Sequence, residues 1–166
     1  MKIAIVSDTH ESWQSVYEAL RAEEGLDQLF FLGDMAADGQ KLAKALGIPA
    51  HIVRGNCDGW VPEPEELMVT VGGFHILLCH GDRYQVKTSL TPLYLKGQEV
   101  GADIVCFGHT HQPVYEEGEV TLINPGSASR PHFLDEIPTW GLLEFTDDGP
   151  SGKKVKKYIK KGLPKL

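Results

Sequence analysis

The amino-acid sequence predicts a single α/β domain over residues 1–166, with a parallel first half, an antiparallel second half, and strands enough for two sheets. Three observations carry this. Short runs rich in Ile, Val and Leu recur along the chain. Helical stretches separate the first three of them, and a Gly-Gly pair joins two later ones as a hairpin. A length of 166 residues suits one domain with a sizeable core.

The first strand is "KIAIV" (2–6). Its apolar run stops at Ser7 and Asp8, too soon for the core of a secretory signal, and reads instead as a buried strand. A helix follows in "SWQSVYEALRAEEG" (12–25), where Trp13, Val16, Tyr17 and Leu20 recur at helical spacing, Ser12 is the N-cap and Gly25 the stop. "QLFFL" (28–32) is the second strand, and "DGQKLAKALG" a helix from an Asp38 cap to Gly47. "AHIV" (50–53) completes a β-α-β-α-β unit with right-handed parallel crossovers. "LMVTV" (67–71) and "HILLC" (75–79) meet through Gly72-Gly73 and pair antiparallel. A third helix, interrupted by Pro92, is expected at 88–101, followed by strands at 103–107, 113–117, 120–123 and 140–145. The last basic stretch, "KKVKKYIKK", reads as an edge strand or frayed end whose lysines oppose pairing with other chains.

The net charge of −7 conceals an asymmetry: seven lysines and no acid lie in 151–166, leaving nine basic against 23 acidic side chains in 1–150, a balance of −14. Such an acidic body repels polyanions, which argues against nucleic acid as a standing partner. No stretch approaches the roughly 18–20 uncharged residues of a membrane span. Cys57, Cys79 and Cys106 are odd in number and lack CxxC spacing, which opposes a disulfide framework and leads to the expectation of a reducing cytoplasm.

Five strands end in polar groups that bind metals: "SDTH" (Asp8, His10), "LGD" (Asp34), "RGNCD" (Asn56), "CHGD" (His80) and "FGHTH" (His109, His111). The carboxyl ends of strands in an open α/β sheet line one crevice, so the seven donors are expected to converge. The i, i+2 spacing of Asp8 with His10 and of His109 with His111 would point both members of each pair to one side of an extended segment. Glycine precedes Asp34, Asn56 and His109 and follows His80, allowing close backbone approach. Carboxylate, imidazole and amide donors without thiolate suit Mn, Fe, Ni or Zn. With one carboxylate bridging, seven residues supply four protein ligands to each of two ions, which predicts a two-metal site with ions about 3.5–4 Å apart. His51 and His75 lie inside strands and His132 in a late loop, and these three are read as structural.

The ordered blocks D-x-H, G-D, G-N-x-D, H-G and G-H-x-H resemble the calcineurin-like metallophosphoesterase superfamily. The small size, "GNCD", "INPGSASRP" (123–131) and "TWGLLEF" (139–145) are similar to the compact YfcE-type phosphodiesterases of bacteria and archaea. The resemblance implies a four-layer α/β/β/α sandwich of two mixed β-sheets flanked by helices. It implies one metal held by Asp8, His10, Asp34 and His111 and a second by Asp34, Asn56, His80 and His109, with Asp34 as the bridge. It further implies hydrolysis of a small phosphodiester by in-line attack of metal-activated hydroxide. The two divalent ions are expected to be transition metals, manganese first, with nickel, iron or zinc as alternatives.

The block "GNCD" departs from the wider superfamily, where histidine often stands at position 57, oriented by the following acid, and assists the leaving group. Cys57 admits three readings here: an inert residue, a weak proton donor, or a metal-linked or redox thiol. Asp58, without a histidine to orient, is expected to hold the loop or a ligand imidazole. Lacking a strong acid, the site should favour esters with good leaving groups, such as aryl phosphates. Asp82 stands where relatives often have a second histidine. Arg83, Arg130 and His132 are candidates for substrate phosphate contact, and Trp60 with Pro62-Glu63-Pro64 for the cleft rim or a subunit contact, which leaves a homo-oligomer open. The alternative function is a non-catalytic interaction scaffold, as in the retromer subunit of the same fold. A scaffold is free to lose donors, and all seven are present.

Overall fold

The computed structural model describes residues 1–133, 136–146 and 155–163. Its elements run β1 (Lys2–Val6), α1 (Trp13–Arg21), β2 (Leu26–Phe31), α2 (Ala36–Leu46), β3 (Ala50–Ile52), β4 (Glu66–Val71), β5 (Phe74–Cys79), α3 (Thr91–Glu99), β6 (Ile104–Cys106), β7 (Val114–Glu116), β8 (Thr121–Asn124), β9 (Thr139–Thr146) and β10 (Val155–Gly162). They form two five-stranded sheets, ordered β10-β9-β1-β2-β3 and β4-β5-β6-β8-β7.

In the first sheet β1, β2 and β3 are parallel, as two helical crossovers require, while β9 returns antiparallel beside β1 and β10 beside β9. The expectation of an antiparallel second half is corrected in the second sheet. The Gly72-Gly73 hairpin pairs β4 with β5 antiparallel, but β5, β6 and β8 are parallel neighbours. Helix α3 carries the chain back between β5 and β6, and strand β7, antiparallel to β8, carries it back between β6 and β8, so both neighbouring pairs run in the same direction.

Strand alternation distributes the core into layers. Ile3, Ile5, Phe30 and Leu32 meet Ile76, Leu78, Ile104 and Ile123 between the sheets. Ala4, Val6, Leu29 and Phe31 face Val16 and Leu20 of α1 and Leu42 of α2. Leu77, Val105 and Leu122 pack with Leu93 of α3. The result is an α/β/β/α sandwich, and burial on both faces explains why these strands read as continuous apolar runs.

Helix boundaries differ from the sequence expectation in informative ways. Ser12 precedes α1 but makes no side-chain cap; its carbonyl accepts from Ser15 Oγ at 3.0 Å instead. The helix ends at Arg21, and Gly25, at φ 77°, opens β2. Helix α2 begins at Ala36, before Asp38, whose carboxylate accepts from Thr9 Oγ1 (2.6 Å) and the Glu11 amide (3.0 Å) and so braces another loop. Pro92 lies in the first turn of α3 rather than interrupting it, where its missing N–H costs no helical bond. The lysine-rich end forms β10, an edge strand; Lys153, Lys154 and Lys165 lie outside the described residues.

Candidate metal centre

Strands β1, β2 and β3 of one sheet and β5 and β6 of the other deliver the five donor loops to one edge of the sandwich. Asp8, His10, Asp34 and His111 each offer a ligand atom within 4.8 Å of the others. His111 Nε2 lies 3.2 Å from Asp8 Oδ1 and 3.5 Å from His10 Nε2. His80 Nε2 lies 3.4 Å from Asp34 Oδ2 and 3.8 Å from Asp8 Oδ1, and the His109 ring packs edge-on against His80 with centroids 5.1 Å apart. Six of the seven expected donors therefore gather directly. Asn56 stands at the exposed lip, its Nδ2 3.7 Å from Cys57 Sγ.

The way they converge corrects one expectation. Asp8, His10, Asp34, His109 and His111 all have positive φ, between 43° and 69°. An extended segment with i, i+2 alternation does not describe these loops; tight left-handed turns aim the side chains. Such conformations are costly for residues with a Cβ and persist where the surroundings over-determine them, a pattern concentrated at functional sites.

The surroundings are identifiable. Asp58 is half-buried, and its carboxylate accepts four backbone N–H groups: Asp34 (3.0 Å), Met35 (2.8 Å), Ala36 (2.6 Å) and Gly55 (2.7 Å). It caps α2, holds Asp34 in its turn and ties the β2 and β3 loops together, so loop-holding is its role and no contact to a ligand imidazole accompanies it. The Cys57 amide donates to Asp34 Oδ1 at 3.0 Å, leaving Oδ2 to face the histidines. At Gly55 a Cβ would stand 2.3 Å from Asp34 Oδ1, and at Gly108 one would stand 2.1 Å from Ser7 Oγ. Both positions thus exclude any side chain.

Sequence reading missed a further set of braces. Ser7 Oγ and the His109 amide donate to Asp8 Oδ2, at 2.5 and 3.2 Å. Ser127 and Ser129 hydroxyls donate to the Asp8 carbonyl, at 2.8 and 3.0 Å, and Asn124 Nδ2 donates to the Gly108 carbonyl at 3.0 Å. The sequence signal for Asn124, Ser127 and Ser129 was "INPGSASRP", which carried resemblance but no role. Hydrogen bonds also orient two rings. His80 Nδ1 donates to the Leu32 carbonyl (2.7 Å) and His111 Nδ1 to the Arg130 carbonyl (2.6 Å), which directs both Nε2 atoms inward.

Asp8 Oδ1 and His80 Nε2 are buried and make no well-aligned hydrogen bond; their nearest charged neighbours are His111 Nε2 at 3.2 Å and Asp34 Oδ2 at 3.4 Å. These two, with His10, Asp34 and His111 around them, form an oxygen and nitrogen set suited to a divalent transition metal. The residues present therefore fit the ions that the family implies. Electrostatics agree. Burial alone would lower His80, but Asp34 beside Nε2 and the charges of Asp8 and Asp34 push it up to about 9. Burial would raise Asp34, but His80 and the Cys57 amide hold it well below the usual carboxylate range. The nearby Asp8 carboxylate raises His111 against the effect of burial.

The remaining candidates separate. Cys57 is exposed, and its thiol is raised by burial of its inner side and by the Asp34 charge. Cys79 and Cys106 are buried. Arg83 pairs with Glu65, which also meets Arg54 at 3.1 Å, so its guanidinium is committed away from the centre. Arg130 and His132 instead line a cleft of about 400 Å³ with His109 and His111. His51 packs edge-on against Phe30 and His75 meets Thr70 Oγ1 at 3.1 Å, both structural as expected. Trp60 stands fully in solvent.

This fold and site define a metallophosphoesterase class. The sequence profile of the calcineurin-like phosphoesterase superfamily domain matches residues 1–148, and the chain belongs to that superfamily. It is 35% identical over 153 residues to the probable metallophosphoesterase YsnB of Bacillus subtilis (strain 168), covering 89% of this chain and 86% of the relative. Two solved structures share the fold. One is described as a novel archaeal phosphodiesterase (24% identity, TM-score 0.74, 98% of this chain and 100% of that chain). The other is wild-type Vps29 of Entamoeba histolytica complexed with Zn (21% identity, TM-score 0.78, 96% and 99%). Among the described residues, no helix is long and apolar enough to cross a membrane.

Proposed function

We propose that this phosphoesterase is a phosphodiesterase working on small diesters at a two-metal centre. In this reading Asp8, His10, Asp34 and His111 hold one divalent ion and Asp34, Asn56, His80 and His109 the other. When bound, such ions supply Lewis acidity and a hydroxide nucleophile near neutral pH. The observation that carries the reading is the convergence of donor atoms at the meeting of five strand ends: ligand atoms of Asp8, His10, Asp34 and His111 lie within 4.8 Å of one another, with His80 Nε2 3.4 Å from Asp34 Oδ2.

The chain's own residues do the rest. The Leu32 and Arg130 carbonyls keep the His80 and His111 rings fixed, so the donors need little rearrangement before reaction. Asp34 is held by the Cys57 amide on one oxygen and offers the other to the centre. Cys57, exposed at the lip of the centre, stands in for imidazole poorly as a proton donor, which directs the enzyme to diesters with good leaving groups. Cytoplasmic location and manganese as native metal belong to the same proposal.

The test is a metal-stripped preparation assayed on an aryl phosphodiester and the matching monoester, with Mn, Ni, Zn and Mg restored in turn. Turnover of the diester with a transition metal, exceeding that of the monoester, is expected. Preference for the monoester overturns the diester assignment, and no turnover with any ion favours an interaction scaffold.

A further inference from the structure

We infer that the cleft beside the metal centre is a selectivity subsite for a second anionic group on the ester, bound by Lys87 and Arg130. The inference rests on the phosphodiesterase reading and narrows its substrate class. Lys87, Thr110, Gln112, Arg130 and His132 line one cavity of about 400 Å³ together with His109 and His111. That volume is on the scale of small-ligand pockets, about 300–1,000 Å³.

Three features distinguish these cations from ordinary surface charge. The first is that, among the described residues, neither has a carboxylate within ion-pair distance; Lys44, Lys156, Lys157 and Lys160 share that property, but Lys87 and Arg130 are the cations that line the cavity shared with His109 and His111. Two unpaired cations beside one cavity stand out in a body whose first 150 residues carry a balance of −14. The second is that they flank the centre from two loops, both lining the cavity that His109 and His111 open into. The third is that the Arg130 backbone is fixed by the site itself: its carbonyl accepts from His111 Nδ1 and its amide donates to Ser127 Oγ at 2.8 Å. The scissile phosphate of a diester carries one charge, which the centre itself neutralises. Cations displaced along the cleft therefore meet the ester substituent, and an anionic substituent, carboxylate or phosphate, is what they recognise.

The experiment compares two diesters with the same 4-nitrophenyl leaving group, one with a plain aryl second arm and one with a carboxylate on that arm; a third, phosphate-bearing arm distinguishes the two anion types. The reading is the ratio of kcat/KM values, in the wild type and in Lys87→Ala, Arg130→Ala and Lys87→Glu, at low and high salt. A wild-type preference for an anionic arm is expected. It should fall about two- to fivefold with each neutral substitution, as exposed charge pairs do, reverse in Lys87→Glu, and weaken in salt. Arg130→Lys should restore part of it, because Arg130→Ala removes the charge yet leaves the carbonyl that orients His111. Calorimetric affinity of a non-hydrolysable phosphonate pair, with and without the carboxylate, should follow the same order. Hydrolysis of all diesters at equal efficiency, or a ratio that the substitutions leave unmoved, overturns the subsite. Failure to hydrolyse any diester, with monoesters turned over, overturns instead the reading on which it rests.

Discussion

Asp58 offers the sharpest test of how the centre is built. Its carboxylate accepts the amides of Asp34, Met35, Ala36 and Gly55, all within 3.0 Å. Asp58→Ala leaves four donors unserved. Loss of a helix N-cap costs about 0.5–2 kcal/mol, and the Asp34 and Gly55 amides add about 1 kcal/mol each once water replaces the carboxylate. The expected destabilisation is about 2.5–4 kcal/mol, or roughly 5–15 °C in Tm for a domain of this size. Asp58→Asn keeps the shape, but its NH2 group would confront two of the four donors, so it should lose nearly as much. Urea unfolding of metal-free protein measures this without reference to catalysis, and calorimetry of metal binding then shows whether Asp34 has lost its position. If Asp58→Asn keeps the wild-type urea midpoint and metal affinity while activity collapses, the loop-clamp account is wrong and the carboxylate acts in chemistry.

Three further outcomes are expected. With His80 pushed up to about 9, metal binding at pH 7.5 must displace its proton, so binding heats should vary with the buffer's ionisation enthalpy and affinity should rise with pH; heats independent of buffer refute this. In the metal-free protein the sign is opposite for stability. The raised His80 contributes most below its ordinary value near 6.5 and loses that contribution as pH rises through about 9, whereas the depressed Asp34 contributes above about 3.8 and loses it in acid; urea midpoints across pH check both. Gly55→Ala and Gly108→Ala, whose Cβ atoms would fall 2.3 Å from Asp34 Oδ1 and 2.1 Å from Ser7 Oγ, should cost about 1–3 kcal/mol and most of the bound metal, and wild-type metal content by elemental analysis would contradict the close-approach argument. For Cys57, rate should fall steeply as leaving-group pKa rises, and Cys57→His should flatten that slope; a shallow wild-type slope means that another residue supplies the proton.

Much of the protein was legible in the chain, for a local reason. A strand buried on both faces must be apolar, and a residue that binds a cation must carry a donor, so "KIAIV" followed by Asp8, or "HILLC" followed by His80, announces a strand and a candidate ligand without knowledge of partners. Other decisions depended on residues far apart in sequence. The start of α2 at Ala36 is set by Asp58, 22 positions later, which no helix-capping pattern around Asp38 could disclose. Left-handed turns at Asp8, His10, Asp34, His109 and His111 exist because opposing loops brace them, so spacing alone mistook them for extended segments. The parallel order of β5, β6 and β8, the return of β9 beside β1, and the meeting of Lys87 with Arg130 across one cleft are likewise properties of packing. Residue chemistry is written locally, while direction, register and neighbourhood are settled only when distant segments compete for the same space.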